Sequence, residues 1–261
     1  QLHGLLSCLA LHNVDNYYFD GYAFIEKYFS FQHINQKNSI NVKEYFIEIA
    51  KEFIKINNQI KRNYKKKIHS HEVYKIPNNY NIDTLYSLDN SFFFDKIPIN
   101  KNQYEKYIKN IKKIKSLFTN KKLPQNRLSE KNVVIHLRQG DAMIGGRGKQ
   151  INNYNKKIIK ILPKIINNFK DYIFYIHTDD NSDFVTNILL KYNVKYIAYS
   201  KSENILNVLS DFIYSDVFLA GISSLSTVCT FLGNHKLTIV SDDINYSLPN
   251  NIVRISDYEN L

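Results

Sequence analysis

Val133-Val134-Ile135-His136-Leu137-Arg138-Gln139-Gly140-Asp141 reads as a buried strand that runs directly into polar, chemically capable side chains. Three consecutive β-branched residues favour an extended backbone and suit a strand covered on both faces. Gly140 then allows a sharp turn where the strand ends. His136 and Arg138 are two residues apart and share a strand face, and a guanidinium is well shaped to grip a diphosphate with two parallel bonds. In an open α/β sheet, ligands bind at this end of a strand.

Working outward, the chain after about Lys131 alternates strand-like and helix-like segments at short intervals. Strands are expected over 133–137, 172–177, 194–199, 216–220 and 236–240, with helical runs over 153–169, 182–191, 204–214 and 224–232. Repeated units of this kind imply a mostly parallel, doubly wound sheet. Pro163 interrupts the first helical run and is expected to kink it or delay its start.

The first half has a different texture. No glycine occurs between Gly21 and Gly140, and the runs 42–60 and 102–118 are helix-compatible. In the second run, Tyr107, Ile108, Ile111, Ile114, Leu117 and Phe118 follow helical spacing, while lysines occupy the other face. Aromatic residues such as Tyr17, Tyr18, Phe19, Tyr28, Phe29 and Phe31 read as core rather than as a platform for bases. The polar stretch 119–131, with Pro124, is the natural boundary. Two domains are expected, 1–125 and 126–261.

Composition narrows the class. With 261 residues and 44% hydrophobic content, the chain can bury a substantial core, which excludes a disordered protein. No stretch reaches the roughly 18 to 20 apolar residues that span a membrane. The formal charge of +11 would favour polyphosphates, anionic membrane surfaces or nucleic acid. The lysines, however, are spread over helix-like segments, and a solvated face is the simpler account. Cys8 and Cys229 are too few for a disulfide scaffold and read as reduced and buried. No metal site is expected. His33, His69, His71 and His235 read as surface or packing residues. Met143 is the only methionine, so Gln1 is not an initiator and a preceding segment is expected.

Two further strand ends carry chemistry. Asp216-Val217-Phe218-Leu219-Ala220-Gly221-Ile222-Ser223-Ser224-Leu225-Ser226-Thr227 is a strand, a glycine, a hydroxyl cluster and a helix start. Free N–H groups and the positive end of the helix dipole suit an anion there, with Ser223, Ser224, Ser226 and Thr227 as added donors. An ordinary N-cap is the competing reading. The third strand end delivers Asp179 and Asp180, which could accept bonds from ribose hydroxyls or a base edge or hold a metal, while simple capping of the next helix by Asp180 or Ser182 is the competing reading. Gly145-Gly146-Arg147-Gly148-Lys149 reads either as a loop that closes over a ligand or as a plain surface loop.

These three strand ends together resemble the GDP-fucose-dependent fucosyltransferases of the GT-B superfamily, over most of residues 131–241. Those families carry a His-x-Arg motif at a strand end, often HxRRxDY. His136, Leu137, Arg138, Gln139, Gly140, Asp141 and Ala142 match it at the His, the first Arg and the Asp. Gln139 replaces the second Arg and Ala142 the Tyr. The family's Ser-Ser-Phe-Ser segment resembles Ser223, Ser224, Leu225 and Ser226, and its acidic strand end resembles Thr178, Asp179 and Asp180. Gln1 to Leu9 resembles the family's first helix, with the preceding strand and glycines cut off.

The resemblance implies a GT-B-like α/β fold of two Rossmann-like domains: an incomplete, helix-rich acceptor side (1–125) and a nucleotide-sugar side (126–261). It implies a glycosyltransferase moving fucose from GDP-fucose to a glycan hydroxyl with inversion and without an obligatory metal or cofactor. Arg138 and His136 would form the catalytic centre; Gly140, Asp179, Asp180, Ser223, Ser224, Ser226 and Thr227 would hold the donor. Partners would be a nucleotide-sugar donor and a glycan acceptor, with no nucleic acid. The expected location is cytoplasmic, with peripheral membrane association open through the basic surface. The alternative is a nucleotide-binding module of the same fold without turnover; a nucleic-acid-binding protein driven by charge comes third.

Overall fold

The structure, a computed structural model, describes residues 66–70, 84–88, 126–144, 146–180, 183–199, 203–243 and 250–261. The helices expected over 42–60 and 102–118, the early aromatics, Cys8, His33, His71 and the Gln1–Leu9 segment lie outside the described residues. The chain divides into two compact units, Gln1–Lys122 and Leu123–Leu261. Within the first, β1 (Lys66–Ser70) pairs in parallel with β2 (Thr84–Leu88), with His69 opposite Ser87.

The second unit is an α/β layer structure around a six-stranded, all-parallel sheet. Its elements, in chain order, are β3 (Asn132–Leu137), α1 (Asp141–Ile144), α2 (Gly148–Asn168), β4 (Ile173–Thr178), α3 (Asp183–Lys191), β5 (Tyr196–Tyr199), α4 (Ile205–Tyr214), β6 (Val217–Leu219), α5 (Ser224–Leu232), β7 (Leu237–Val240), β8 (Ile252–Arg254) and α6 (Ile255–Asn260). The strand order is β5-β4-β3-β6-β7-β8. The chain therefore starts in the middle of the sheet, builds one half, crosses over, and builds the other half.

Alternation along β3 decides what each face packs against. Val133, Ile135 and Leu137 join Ile158, Leu162 and Ile165 of α2, Val185 and Leu189 of α3, and Ile255 and Tyr258 of α6 in one continuous core. Each fully buried large side chain of this kind contributes about 1.5–3 kcal/mol. The other face is a run of rings. Phe212 of α4 lies 4.9 Å from His136, 5.3 Å from His177 and 4.9 Å from Phe218, and Phe218 lies 5.3 Å from His235. His235 packs as a staple between two helix ends: its Nδ1 meets the Ser215 carbonyl at 2.8 Å and its Nε2 the Cys229 carbonyl at 3.1 Å. Cys229 is buried and unpaired, and burial pushes its thiol well above the usual range.

Local chemistry explains several boundaries. Asn132 and Asp216 exchange bonds at the start of β3 and β6: Asp216 N–H donates to Asn132 Oδ1 (2.9 Å) and Asn132 N–H to Asp216 Oδ2 (3.3 Å). Asn204 caps α4 by accepting from Leu206 N–H at 2.9 Å. Pro163 does not break α2; the helix runs through it from Gly148. A proline inside a helix costs about 3 kcal/mol, and the buried face formed by Ile151, Tyr154, Ile158, Ile161, Leu162 and Ile165 outweighs it. β8 and α6 lie beyond the strands expected from the sequence, because three residues show no period. No helix among the described residues is long and apolar enough to cross a membrane.

Candidate functional site

All six strands are parallel, so the segments that leave β3, β4 and β6 emerge at one edge of the sheet. The chain reverses its winding direction between β3 and β6, and the crevice above such a point is where open α/β sheets receive ligands. His136, Arg138 and Gly140 come from β3 and its exit, Asp179 and Asp180 from β4, and Ser223 to Thr227 from β6. The site residues expected from the sequence thus share one edge, and the His136 and Ser223 segments flank the reversal.

At the exit of β3 the chain turns tightly. Ala142 N–H donates to the Gln139 carbonyl (3.2 Å) and Met143 N–H to that of Gly140 (3.1 Å). Gly140 has φ +51, a backbone state that a side chain disfavours, and a Cβ there would stand 2.9 Å from Asp179 Oδ2. Asp179 is turned inward onto this turn. Its Oδ2 accepts from Arg138 Nη1 at 2.5 Å and its Oδ1 from Gln139 N–H at 2.6 Å. Each oxygen holds part of the motif, so in this arrangement Asp179 orients Arg138 and the turn at Gln139. Asp180 is exposed, and its N–H donates to Thr178 Oγ1 at 3.2 Å. Asn155 of α2 adds support by donating Nδ2–H to the Arg138 carbonyl at 3.1 Å.

The hydroxyl cluster divides its labour. Ser223, extended at φ −152 and ψ 151, is the N-cap of α5 and accepts from Ser226 N–H at 3.1 Å. Thr227 Oγ1 donates back to the Ser223 carbonyl at 3.1 Å. Ser226 is fully buried and its hydroxyl meets His136 Nδ1. Helix geometry leaves the N–H groups of Ser224 and Leu225 without an acceptor inside α5, which keeps the positive end of the helix available. The capping reading accounts for Ser223 and Thr227, and Ser226 is spent on the histidine.

His136 is 8% exposed. Gly221 makes room for it: a Cβ there would stand 2.6 Å from the His136 carbonyl and 2.9 Å from Nδ1. Burial first, then the charge of Arg138 and the neighbouring His177, lower its pKa from 6.5 to about 3. The ring is neutral at physiological pH. The folded pKa lies below the unfolded one, so acid favours the unfolded chain, which takes up a proton that the folded ring refuses. Stability should fall as pH drops from 6.5 toward about 3. Urea midpoints at about pH 7 and pH 5 check this, and an equal or higher midpoint at the lower pH would contradict it.

Beside this edge lies a buried ion cluster that the sequence did not announce. His177, register-paired with His136, meets Asp211 Oδ2 through Nε2 at 2.9 Å. Asp211 is fully buried in α4 and accepts from Arg127 at Nε (3.0 Å to each oxygen) and Nη2 (2.7 Å). Burial works against the Arg127 charge, the bonds to Asp211 outweigh it, and the guanidinium is held above its usual range. Arg127 also lies 4.2 Å from the centre of the Tyr199 ring, which stacks on His177 at 4.7 Å. The one sequence signal was Asp211 itself, a carboxylate between Leu209 and Phe212 on a largely apolar helix. Tyr154 was also missed; its hydroxyl donates to the Ala220 carbonyl at 2.8 Å and ties α2 to the end of β6. Gly148, read as part of a loop, is the buried first residue of α2, packed against the Met143 carbonyl.

No family model matches the chain, and no curated protein matches it. Among solved structures, it is similar to crystal structures of POFUT1. For the complex with GDP, identity is 12%, the match covers 59% of this chain and 53% of that one, and the TM-score is 0.37. For the complex with GDP-fucose, the values are 12%, 59%, 51% and 0.37, and for the apo form 12%, 59%, 52% and 0.37. The chain spans about half the length of the structures it matches.

Proposed function

We propose that the protein is a nucleotide-sugar-dependent glycosyltransferase that moves fucose from GDP-fucose to a glycan hydroxyl with inversion. The observation that carries this reading is the Arg138 guanidinium, steered by Asp179 at the exit of β3, across the winding reversal from the N-terminus of α5. An anion bound there would have a cation on one side and a helix dipole on the other. The His-x-Arg and Ser-Ser-x-Ser segments that fill these places are those of the fucosyltransferase resemblance.

In this reading the glycosidic C–O bond to the β-phosphate breaks while the acceptor oxygen bonds to the opposite face of the sugar carbon. The leaving diphosphate gains negative charge as the bond breaks. Arg138 and the first-turn N–H groups of α5 strengthen their hold as that charge grows, which lowers the barrier. The cationic side chain and the helix dipole do the work that a divalent ion does elsewhere, so no obligatory metal is part of the proposal. Burial and the Arg138 charge oppose the imidazolium that His136 would become on taking the acceptor proton, which suits it to a donor or orienting role and not to that of the base. That base is unassigned, and the nucleotide sugar is assigned to 126–261. Asp180, exposed beside the site, is the carboxylate for the nucleoside.

The test is a screen of GDP-fucose, GDP-mannose and UDP sugars against the intact protein, reading GDP or UDP release with glycan acceptors. Release of GDP from GDP-fucose alone supports the proposal. Preference for a UDP sugar overturns the donor, and GDP binding without release from any sugar favours the module without turnover.

A further inference from the structure

Ser226 and His136 form a pair whose proton positions follow from their surroundings. Ser226 has no exposed surface, so as placed it does not reach a ligand. Its backbone N–H is used by Ser223 Oγ (3.1 Å), and the Ser223 hydroxyl in turn donates to Ser226 Oγ at 3.3 Å. Ser226 Oγ thus already accepts one bond, and its own proton requires an acceptor in a fully buried place. The partner that its hydroxyl meets is Nδ1 of His136.

The histidine completes the argument. A neutral imidazole carries one N–H, and a nitrogen that accepts a hydroxyl proton cannot carry it. His136 is hemmed by Arg138, His177, Phe212 and the bare Cα of Gly221, with no carboxylate among the groups that perturb it, so nothing favours a second proton. We infer that Ser226 is a positioning residue: by donating to Nδ1 it holds His136 as the Nε2–H tautomer, a neutral and oriented hydrogen-bond donor. The donor-side role of that N–H, toward a diphosphate oxygen beside Arg138, rests on the proposed function; the tautomer itself does not. The hydroxyl row after β6 is then two devices, Ser223 for the helix and Ser226 for the histidine.

Protein uniformly labelled with 15N-histidine, read by long-range proton–nitrogen correlation, reports which ring nitrogen carries the proton; a His136→Gln variant assigns the signals. The expected result is a single Nε2–H form for His136, unchanged between about pH 5 and pH 8. Ser226→Ala should replace it by a mixture of tautomers, or by a ring that titrates, while Ser226→Thr, which keeps the hydroxyl, should restore it. An Nδ1–H form in the unaltered protein overturns the inference, as does an unchanged pattern in Ser226→Ala. The unaltered protein is decisive even if Ser226→Ala fails to fold. If the tautomer is found and GDP does not bind, the proposed function fails and the positioning role stands. If GDP binds and the tautomer is wrong, the reverse holds.

Discussion

Arg138→Ala is expected to weaken GDP binding roughly 10- to 150-fold in calorimetry, and to slow sugar transfer roughly 100- to 1000-fold, with little loss of fold. A hydrogen bond to a charged partner is worth about 1.5–3 kcal/mol, which sets the binding figure. The rate figure is larger because charge on the leaving diphosphate is greatest as its bond breaks, and removing one preorganised donor costs about 100- to 1000-fold in rate. Stability should change by less than about 1 kcal/mol, because the Arg138–Asp179 pair is partly solvated, with side chains 29% and 22% exposed. Arg138→Lys should recover part of the binding and little of the rate, since an ammonium restores charge without the planar fork. Undiminished GDP affinity in Arg138→Ala would remove Arg138 from the site. A thermal midpoint that collapses would instead make it structural.

Arg127→Ala is expected to cost about 3–5 kcal/mol of stability. Removing it takes three bonds from Asp211, which has no exposed surface and among the described residues keeps the bond to His177 Nε2. Leaving a buried charge without its counter-ion is among the costlier single changes. The measure is the urea midpoint at constant slope. Glu203→Ala is the internal control, because its bond to Arg127 Nη1 (3.0 Å) lies on the exposed side of the cluster, where an ion pair is worth at most about 1 kcal/mol. A loss below about 1 kcal/mol for Arg127→Ala would mean that Asp211 finds other partners, and the cluster would not be what anchors the start of the sheet to α4.

Much of the second unit was legible in the residues because its signals are local. A run such as Val133-Val134-Ile135 prefers an extended backbone wherever it lies, and amphipathic runs such as 204–214 declare themselves by spacing, so strands and helices appeared close to where they were expected. The parallel sheet followed from their alternation, and with it the edge at which His136, Asp179 and Ser223 emerge. Pro163 and the last strand were misjudged or missed for related reasons: a single residue or a three-residue segment is decided by what packs against it. The bonds that Asp179 makes to Arg138 and to Gln139 N–H are likewise set by packing, and no local pattern in the sequence announced them.

What only the tertiary structure decided is which distant residues meet. The crossover that sets β6 beside β3 brings Ser226 to His136 across 90 positions, and the pairing of β3 with β4 brings Asp179 to Arg138 across 41. Periodicity reports the preference of a backbone for its own neighbours. Strand order, the direction a carboxylate turns and the nitrogen on which a buried ring keeps its proton depend on groups that reach the site from elsewhere in the chain, where burial makes each unmatched polar atom costly.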